Sequence, residues 1–128
     1  MKINGVTVSG VFSIPVQITG SLRGQVSALS IASNTASIDL SSNNFFTINL
    51  VNGANTHISA SNIQPGQTIN LRVSQSSAGT GTVSFNSVIE QPSNSPYTGS
   101  MIPNAEDIVT FISFDSTRLY TSAIRNLV

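Results

Sequence analysis

Apolar and polar residues alternate along most of this chain, and the alternation constrains its fold more than any other feature. In the segment TINLRVSQ, single polar residues separate Ile69, Leu71 and Val73. A period of two places such side chains on one face of a β-strand. No segment has a sustained helical period, and about eight to ten short alternating segments are separated by turn residues. The pattern predicts an all-β fold, an antiparallel β-sandwich or a barrel-like (jelly-roll-like) domain.

The segment Asn62–Phe85 contains the clearest turn signals. Pro65 presets the backbone angle φ of one central turn position, and Gly66 accepts a positive φ at the next, which predicts a type II-like turn. The alternating segment that follows ends in SSAGTG, after which Thr82–Phe85 alternates again. The two alternating segments are therefore predicted to pair as a hairpin.

The alternation is looser at the start of the chain than in the rest of it. Residues 33–128 are predicted to form a β-sandwich module. Residues 1–32 are rich in Gly, Val and Ser and are predicted to be an N-terminal arm or added strands, used for docking or for exchange between subunits. Ile3, Val6 and Val8 lie near one face of this segment and are candidate partner-binding residues.

The composition excludes several classes of function. The formal net charge is zero and 8% of the 128 residues are charged, so charge does not draw the chain to nucleic acid or to an anionic membrane. There is no cysteine, which excludes disulfides, thiolate catalysis and cysteine-ligated metals. No segment has the apolar run of a signal peptide or a membrane helix, so we expect synthesis in a cytoplasm without a cleaved signal.

The titratable residues do not form a catalytic or metal-binding pattern in the sequence. His57 has no acidic or second histidine partner nearby and is expected to be a surface strand residue. Glu106 and Asp107 are adjacent, but a hard-cation site needs more oxygens at defined spacing, so the pair is expected to mark a strand start. Glu90 and Asp115 would form a carboxylate pair only if the fold happened to join them. We therefore expect no enzymatic activity, no cofactor and no metal.

Tyr97 is a candidate partner-binding residue in the loop SNSPYTGSM, which is otherwise rich in polar groups. Aromatic faces stack on sugars and bases, and the chain has no tryptophan to serve this purpose. The alternative interpretation is a loop tyrosine that packs over a sheet edge with its hydroxyl in water.

Two blocks of the sequence carry an ordered set of strand and turn elements. The blocks are NFFTINLVNGANTHISASNIQPGQTINLRVSQSSAGTGTVSF and PNAEDIVTFISFDSTRLYTSAI. Their elements are Asn44-Phe45, Asn62 with Pro65-Gly66-Gln67, Gln75, Gly81, Thr82-Val83 with Phe85, Asn104, Asp107-Ile108, and Asp115 with Tyr120. Over residues 33–128 this order resembles the β-modules of tailed-bacteriophage virion structural proteins, which occur in tail fibres, head fibres and capsid decorations. The chain departs from the family at Ser116 and Leu119, where glycine and tryptophan are common.

The resemblance implies a non-enzymatic, homotrimeric structural protein of the virion. Since the chain is short and only residues 1–32 lie outside the matched region, we expect a capsid decoration (cement) protein. It would bind the major capsid protein or another virion protein and stabilise the shell, at the capsid surface rather than on the tail. The alternative is a receptor- or glycan-binding module of a tail fibre or tail tip, with a host-surface glycan as its partner.

Overall fold

The computed structural model describes residues 2–3, 6–7, 19–21 and 23–128, and these residues form β-strands joined by turns and loops. None of them belongs to a helix that could cross a membrane. The strands are β1 (Lys2–Ile3), β2 (Val6–Thr7), β3 (Val26–Ala28), β4 (Thr35–Asp39), β5 (Phe45–Asn49), β6 (Asn55–Ser61), β7 (Thr68–Ser74), β8 (Thr82–Phe85), β9 (Ile89–Glu90), β10 (Glu106–Ile112) and β11 (Leu119–Leu127).

Two sheets make up the body of the fold. The large sheet has the strand order β3-β5-β7-β10-β11-β9 and curls into a half-barrel, and the small sheet has the order β4-β6-β8. From β3 to β8 the chain alternates between the sheets, and within each sheet these strands run parallel. This part of the chain is therefore a flattened coil. β10 then pairs antiparallel with β7, and β11 pairs antiparallel with β10.

The apolar sides of both sheets meet in one core. The small sheet contributes Ile38, Ile58 and Val83, and the large sheet contributes residues such as Leu71 and Phe111, all buried. Each is followed at the next position by a more exposed residue, as the alternation requires. The prediction of an all-β, sandwich-like or barrel-like domain is confirmed.

The strand directions differ from the expected antiparallel pairing. β7 and β8 do not form a hairpin, because β5 and β10 occupy both edges of β7 while β8 pairs with β6 in the other sheet. The buried side chain of Gln75 holds the crossing between the sheets. Its Nε2 donates to the carbonyl oxygens of Gly81 and Ser100, both at 2.7 Å, and its Oε1 accepts from the Gly81 amide at 3.1 Å. The segment between β7 and β8 therefore changes sheets instead of reversing within one.

The turn at Pro65 and Gly66 has the predicted geometry at its glycine, where φ is +79°. The turn is tied to the end of β10. The Gly66 amide donates to the Ser113 carbonyl at 3.0 Å, and the Gln67 amide donates to the Ser113 hydroxyl at 3.0 Å. The Gln67 side chain crosses to the small sheet and donates to the Leu40 carbonyl at 2.9 Å. The turn therefore connects both sheets.

The N-terminal segment is only partly described. β1 and β2 pair antiparallel, with Ile3 opposite Val6, whereas Val8 lies outside the described residues. Residues 26–28 of the predicted arm form β3, an added strand that pairs parallel with β5 in the large sheet. Leu29, which follows β3, packs against the core.

Candidate interaction surfaces

The outward side of the large sheet carries large apolar side chains at positions where polar residues are usual. The alternation that buries one side of each strand turns the other side to solvent, and the register places Val26 beside Phe45 and Ile108 beside Ile124. We call this side the outer face. Its larger side chains are Val26, Phe45, Arg72, Ile108, Ile112, Tyr120, Ile124 and Leu127.

Apolar exposure on the outer face is substantial. Val26 is 61% exposed, Ile124 is 63% exposed and Phe45 is 40% exposed. Val26, Phe45, Arg72 and Ile108 also line a shallow depression of ≈ 520 Å³. Several large apolar side chains exposed on one face typically mark a contact with another molecule.

The charges on the outer face balance each other. Arg72 lies 3.7 Å from Glu106, and both side chains are about half exposed. The register places Thr47, Asn70 and Thr110 between the apolar positions. Uncharged hydrogen-bonding groups can enter an interface without the large desolvation cost of an ion. This face therefore suits contact with an uncharged surface.

An aromatic pair extends the outer face at one end. Phe114, in the turn between β10 and β11, is 77% exposed, and its ring centroid lies 5.9 Å from that of Tyr120. Asp115 fixes the turn by accepting from the backbone amides of Thr117 at 2.7 Å and Arg118 at 3.1 Å. The hydrogen bonds from Thr117 lower the pKa of Asp115. The exposed phenylalanine therefore sits on an ordered turn.

Tyr97 is buried, in contrast to the wet loop tyrosine considered from the sequence. The side chain is 3% exposed, and its hydroxyl donates to Asp107 Oδ2 at 2.8 Å. Burial, followed by the hydrogen bond to Asp107, raises the pKa of Tyr97. Phe85 lies on the ring at a centroid separation of 6.0 Å, and the Arg125 guanidinium carbon lies 5.1 Å from the centroid. The ring therefore has no open face on which a ligand could stack.

Asp107 is the centre of a buried hydrogen-bond network that the sequence analysis missed. Besides the Tyr97 hydroxyl, it accepts from the Ser100 amide at 2.8 Å, the Ser100 hydroxyl at 2.5 Å and the Asn126 amide at 2.9 Å. Burial raises the pKa of Asp107, but the hydrogen bonds from Ser100, Asn126 and Tyr97 outweigh it and hold the pKa below its usual value. A carboxylate that accepts four hydrogen bonds stabilises the fold, and burial shields Asp107 from solvent.

A β-bulge supplies one of those donors. The ladder between β10 and β11 is regular down to Ile108 and Ile124, and it then pairs Glu106 with Leu127, so β11 has one extra residue. Asn126 has a φ of +60° at this point, and its amide turns to Asp107. The bulge takes this amide out of the ladder, and the buried carboxylate satisfies it.

The other acidic candidates are separated by the fold. Glu106 lies on the outer face and Asp107 on the opposite side of the same strand, so the adjacent pair does not form one site. Glu90 pairs with Arg118 at 3.0 Å, whereas Asp115 holds its own turn. Within the described part of the chain, no group of three or more His, Asp or Glu side chains could hold a metal ion.

His57 lies on the outward side of the small sheet, as expected. Its Nδ1 is 3.2 Å from the Ser84 hydroxyl, to which Asn55 Nδ2 also donates at 2.9 Å. Nucleophilic catalysis needs a third group that orients the base. Here the Asn55 amide contacts Ser84 and not His57. No other described side chain hydrogen-bonds to the imidazole to orient it.

Several residues of the ordered strand and turn pattern have structural roles in this fold. Gln67 and Gln75 satisfy backbone groups between the sheets, Asp107 gathers buried donors, and Asp115 orders a turn. Asn62 has a φ of +58° and donates to Asp39 at 2.9 Å. Phe45, Ile108 and Tyr120 of the same pattern lie on the outer face. The chain matches no protein-family model, and no significant match is found among curated proteins or solved structures.

Proposed function

We propose that this chain is a structural protein of a tailed-bacteriophage particle, a capsid decoration protein that forms a closed homo-oligomer through its outer face. The observation that carries the proposal is the apolar outer face of the large sheet, which exposes Val26, Phe45 and Ile124 together. The resemblance of residues 33–128 to virion modules supports the particle as its location and a trimer as its form.

Covering the outer face would stabilise an assembly appreciably. Full burial of an aliphatic or aromatic side chain contributes about 1.5–3 kcal/mol, so covering a half-exposed one contributes about 1 kcal/mol. Val26, Phe45, Ile112, Ile124 and Leu127 are each 40% exposed or more. Several such side chains per subunit, repeated at each interface of a closed ring, are enough to offset part of the entropy lost on association.

A second copy of the chain is the occupant that best suits this face. The formal net charge of the chain is zero, so copies do not repel one another. Arg72 and Glu106 neutralise each other within one subunit, and the intervening Thr and Asn side chains can hydrogen-bond across an interface. An anionic partner such as nucleic acid or an acidic membrane finds no excess of positive charge here.

In this proposal the N-terminal segment attaches the oligomer to the capsid. Ile3 and Val6 lie in the β1–β2 ladder and, with Val8, remain the candidate docking residues. An oligomer presents one copy of this segment per subunit, so weak individual contacts combine into strong attachment to the shell. The receptor-binding alternative relies on an accessible Tyr97, and that residue is buried.

Light scattering after size exclusion tests the outer face. We expect the native protein to have three times the monomer mass and Ile124→Glu to be monomeric, because the interface would bury an unpaired charge. Val51→Glu is the matched control, since Val51 is 50% exposed but lies in the turn between β5 and β6. It should keep the native mass.

The possible results separate the parts of the proposal. A native protein that is monomeric up to high concentration would overturn the closed oligomer. An Ile124→Glu variant that keeps the native mass would overturn the outer face as its interface. Equal dissociation of both variants would show that added charge acts without regard to position, and would also overturn it. Thermal melting of each variant checks that the fold is intact.

A further inference from the structure

A small polar groove lies on the side of β11 opposite the outer face. Its volume is ≈ 230 Å³ and its lining includes Gln91, Ser95, Tyr97, Thr121 and Arg125. Pockets for drug-sized ligands are larger, about 300–1,000 Å³. This groove therefore suits a fragment no larger than one sugar ring. It belongs to neither the outer face nor the N-terminal segment, so it can be tested independently of the proposed assembly.

Arg125 supplies the groove with a charge that has no carboxylate partner in the described part of the chain. Arg72 pairs with Glu106 and Arg118 pairs with Glu90, but among the described residues no carboxylate lies within 4.0 Å of the Arg125 guanidinium. That guanidinium makes one hydrogen bond, to the Pro96 carbonyl at 3.3 Å. Since a guanidinium has five N–H donors in a planar fork, donors remain for a carboxylate ligand.

The β-bulge and Tyr97 fix the position of this arginine. The bulge lies immediately after Arg125, at Asn126, whose amide is anchored on Asp107. The guanidinium carbon lies 5.1 Å from the centroid of the Tyr97 ring, which is itself buried. Bulges characteristically re-aim a side chain. A cation held in this way needs less ordering when a ligand binds.

The Gln91 side chain in the lining has unused hydrogen-bonding capacity. Gln91 Oε1 accepts from the Tyr97 amide at 2.8 Å, which fixes the carboxamide and leaves its N–H groups as the donors available to a ligand. A fixed amide beside a cation matches a sugar acid, which carries hydroxyl groups next to its carboxylate.

We propose that this groove is a binding subsite for a single acidic sugar ring, with the ligand carboxylate on Arg125 and a ring hydroxyl on Gln91. An amino acid fits less well, because no lining residue is acidic and its ammonium group would have no partner. A neutral sugar would leave the arginine without its counterion.

The test is an NMR titration of ¹⁵N-labelled protein with galacturonate, followed in parallel with galactose and with acetate. We expect galacturonate to shift the amide resonances of Thr121, Ala123 and Arg125, and to bind at least about tenfold more tightly than either comparison ligand. Arg125→Gln should weaken galacturonate binding at least about tenfold, because it removes a charge-assisted hydrogen bond. Arg125→Lys keeps the charge but loses the planar fork of donors. Its affinity for galacturonate should lie between that of the native protein and that of Arg125→Gln.

Arg72→Gln is the matched control, because Arg72 lies on the outer face of the same sheet; it should bind galacturonate as the native protein does. Absence of shifts at these amides with about 20 mM galacturonate would overturn the proposal, since even weak monosaccharide sites are partly filled at that concentration. Equal binding of acetate and galacturonate would show that the ring is not recognised. Unchanged galacturonate binding by a folded Arg125→Gln would show that Arg125 does not hold the ligand carboxylate. Either result would also overturn the proposal.

Discussion

Replacing Tyr97 by phenylalanine tests the buried network around Asp107. The change removes one hydroxyl, whose oxygen lies 2.8 Å from Asp107 Oδ2, and leaves the ring packed against Phe85. A hydrogen bond to a charged group contributes about 1.5–3 kcal/mol. The carboxylate keeps its donors from Ser100 and Asn126. We therefore expect a loss at the lower end, about 1.5 kcal/mol of unfolding free energy, or about 5 °C in the melting temperature.

Tyr120→Phe is a control of identical chemistry, because Tyr120 is 44% exposed and its hydroxyl has no hydrogen bond in the described structure. Urea unfolding of both variants should give equal slopes, with the midpoint lowered only for Tyr97→Phe. The control should stay within about 0.5 kcal/mol of the native protein. Equal stability of the two variants would refute the reasoning, since the buried hydroxyl would then contribute no more than an exposed one.

The same comparison has a dependence on pH. The pKa of Asp107 is lowered in the folded state, so its contribution is complete above the pKa of an unfolded aspartate, about 3.9. The contribution is lost as the pH falls through the lower, folded pKa. The difference between the native protein and Tyr97→Phe should therefore be constant near neutral pH and shrink in acid. A difference that does not change with pH would show that the hydroxyl does not act through the carboxylate.

Three further predictions address the turn, the sheet crossing and the arm. Gly66→Val should cost about 1 kcal/mol or more, because a β-branched residue resists a φ of +79°; an unchanged melting temperature would contradict this. Gln75→Leu should cost at least about 3 kcal/mol in urea unfolding, since it leaves buried backbone groups of Gly81 and Ser100 without partners, and a loss below about 1 kcal/mol would contradict it. Deleting residues 1–10 should abolish binding to capsids that lack the protein, while the number of subunits in the oligomer stays the same. Retained binding, measured by co-sedimentation, would show that the arm does not dock the oligomer on the capsid.

The local geometry of the strands was predictable from the sequence, because a period of two is a property of each strand by itself. Ile69, Leu71 and Val73 point inward as predicted. Pairing direction was not predictable, since the same alternation serves parallel and antiparallel neighbours. The predicted hairpin between β7 and β8 was wrong. β10, a segment far along the chain, takes an edge of β7 that a hairpin would use.

The candidate site residues show a second limit of the sequence. Tyr97 is a candidate partner-binding residue from its polar loop, or a loop tyrosine with a wet hydroxyl, yet its ring is buried and its hydroxyl donates to Asp107, ten positions away. One signal for that carboxylate was present. In EDIVTFI, a period of two places Asp107 on the same side as Val109 and Phe111, so the alternation itself indicates a buried acid. Nothing comparable marks the groove at Arg125, which forms only where β11 meets the loop between β9 and β10.

The flattened coil has a consequence for how chains of this kind can change in length. Each strand from β3 to β8 pairs with strands two positions away, so each turn is supported mainly by the turns on either side of it, as in a solenoid. Adding a turn would thicken such a molecule and leave the existing neighbours in place. β10 pairs antiparallel with β7 and ends the parallel stacking of the large sheet. β10 and β11 therefore act as a terminal cap of that sheet. β3 and β4 are the edge strands at the other end of the coil, where a further turn could add.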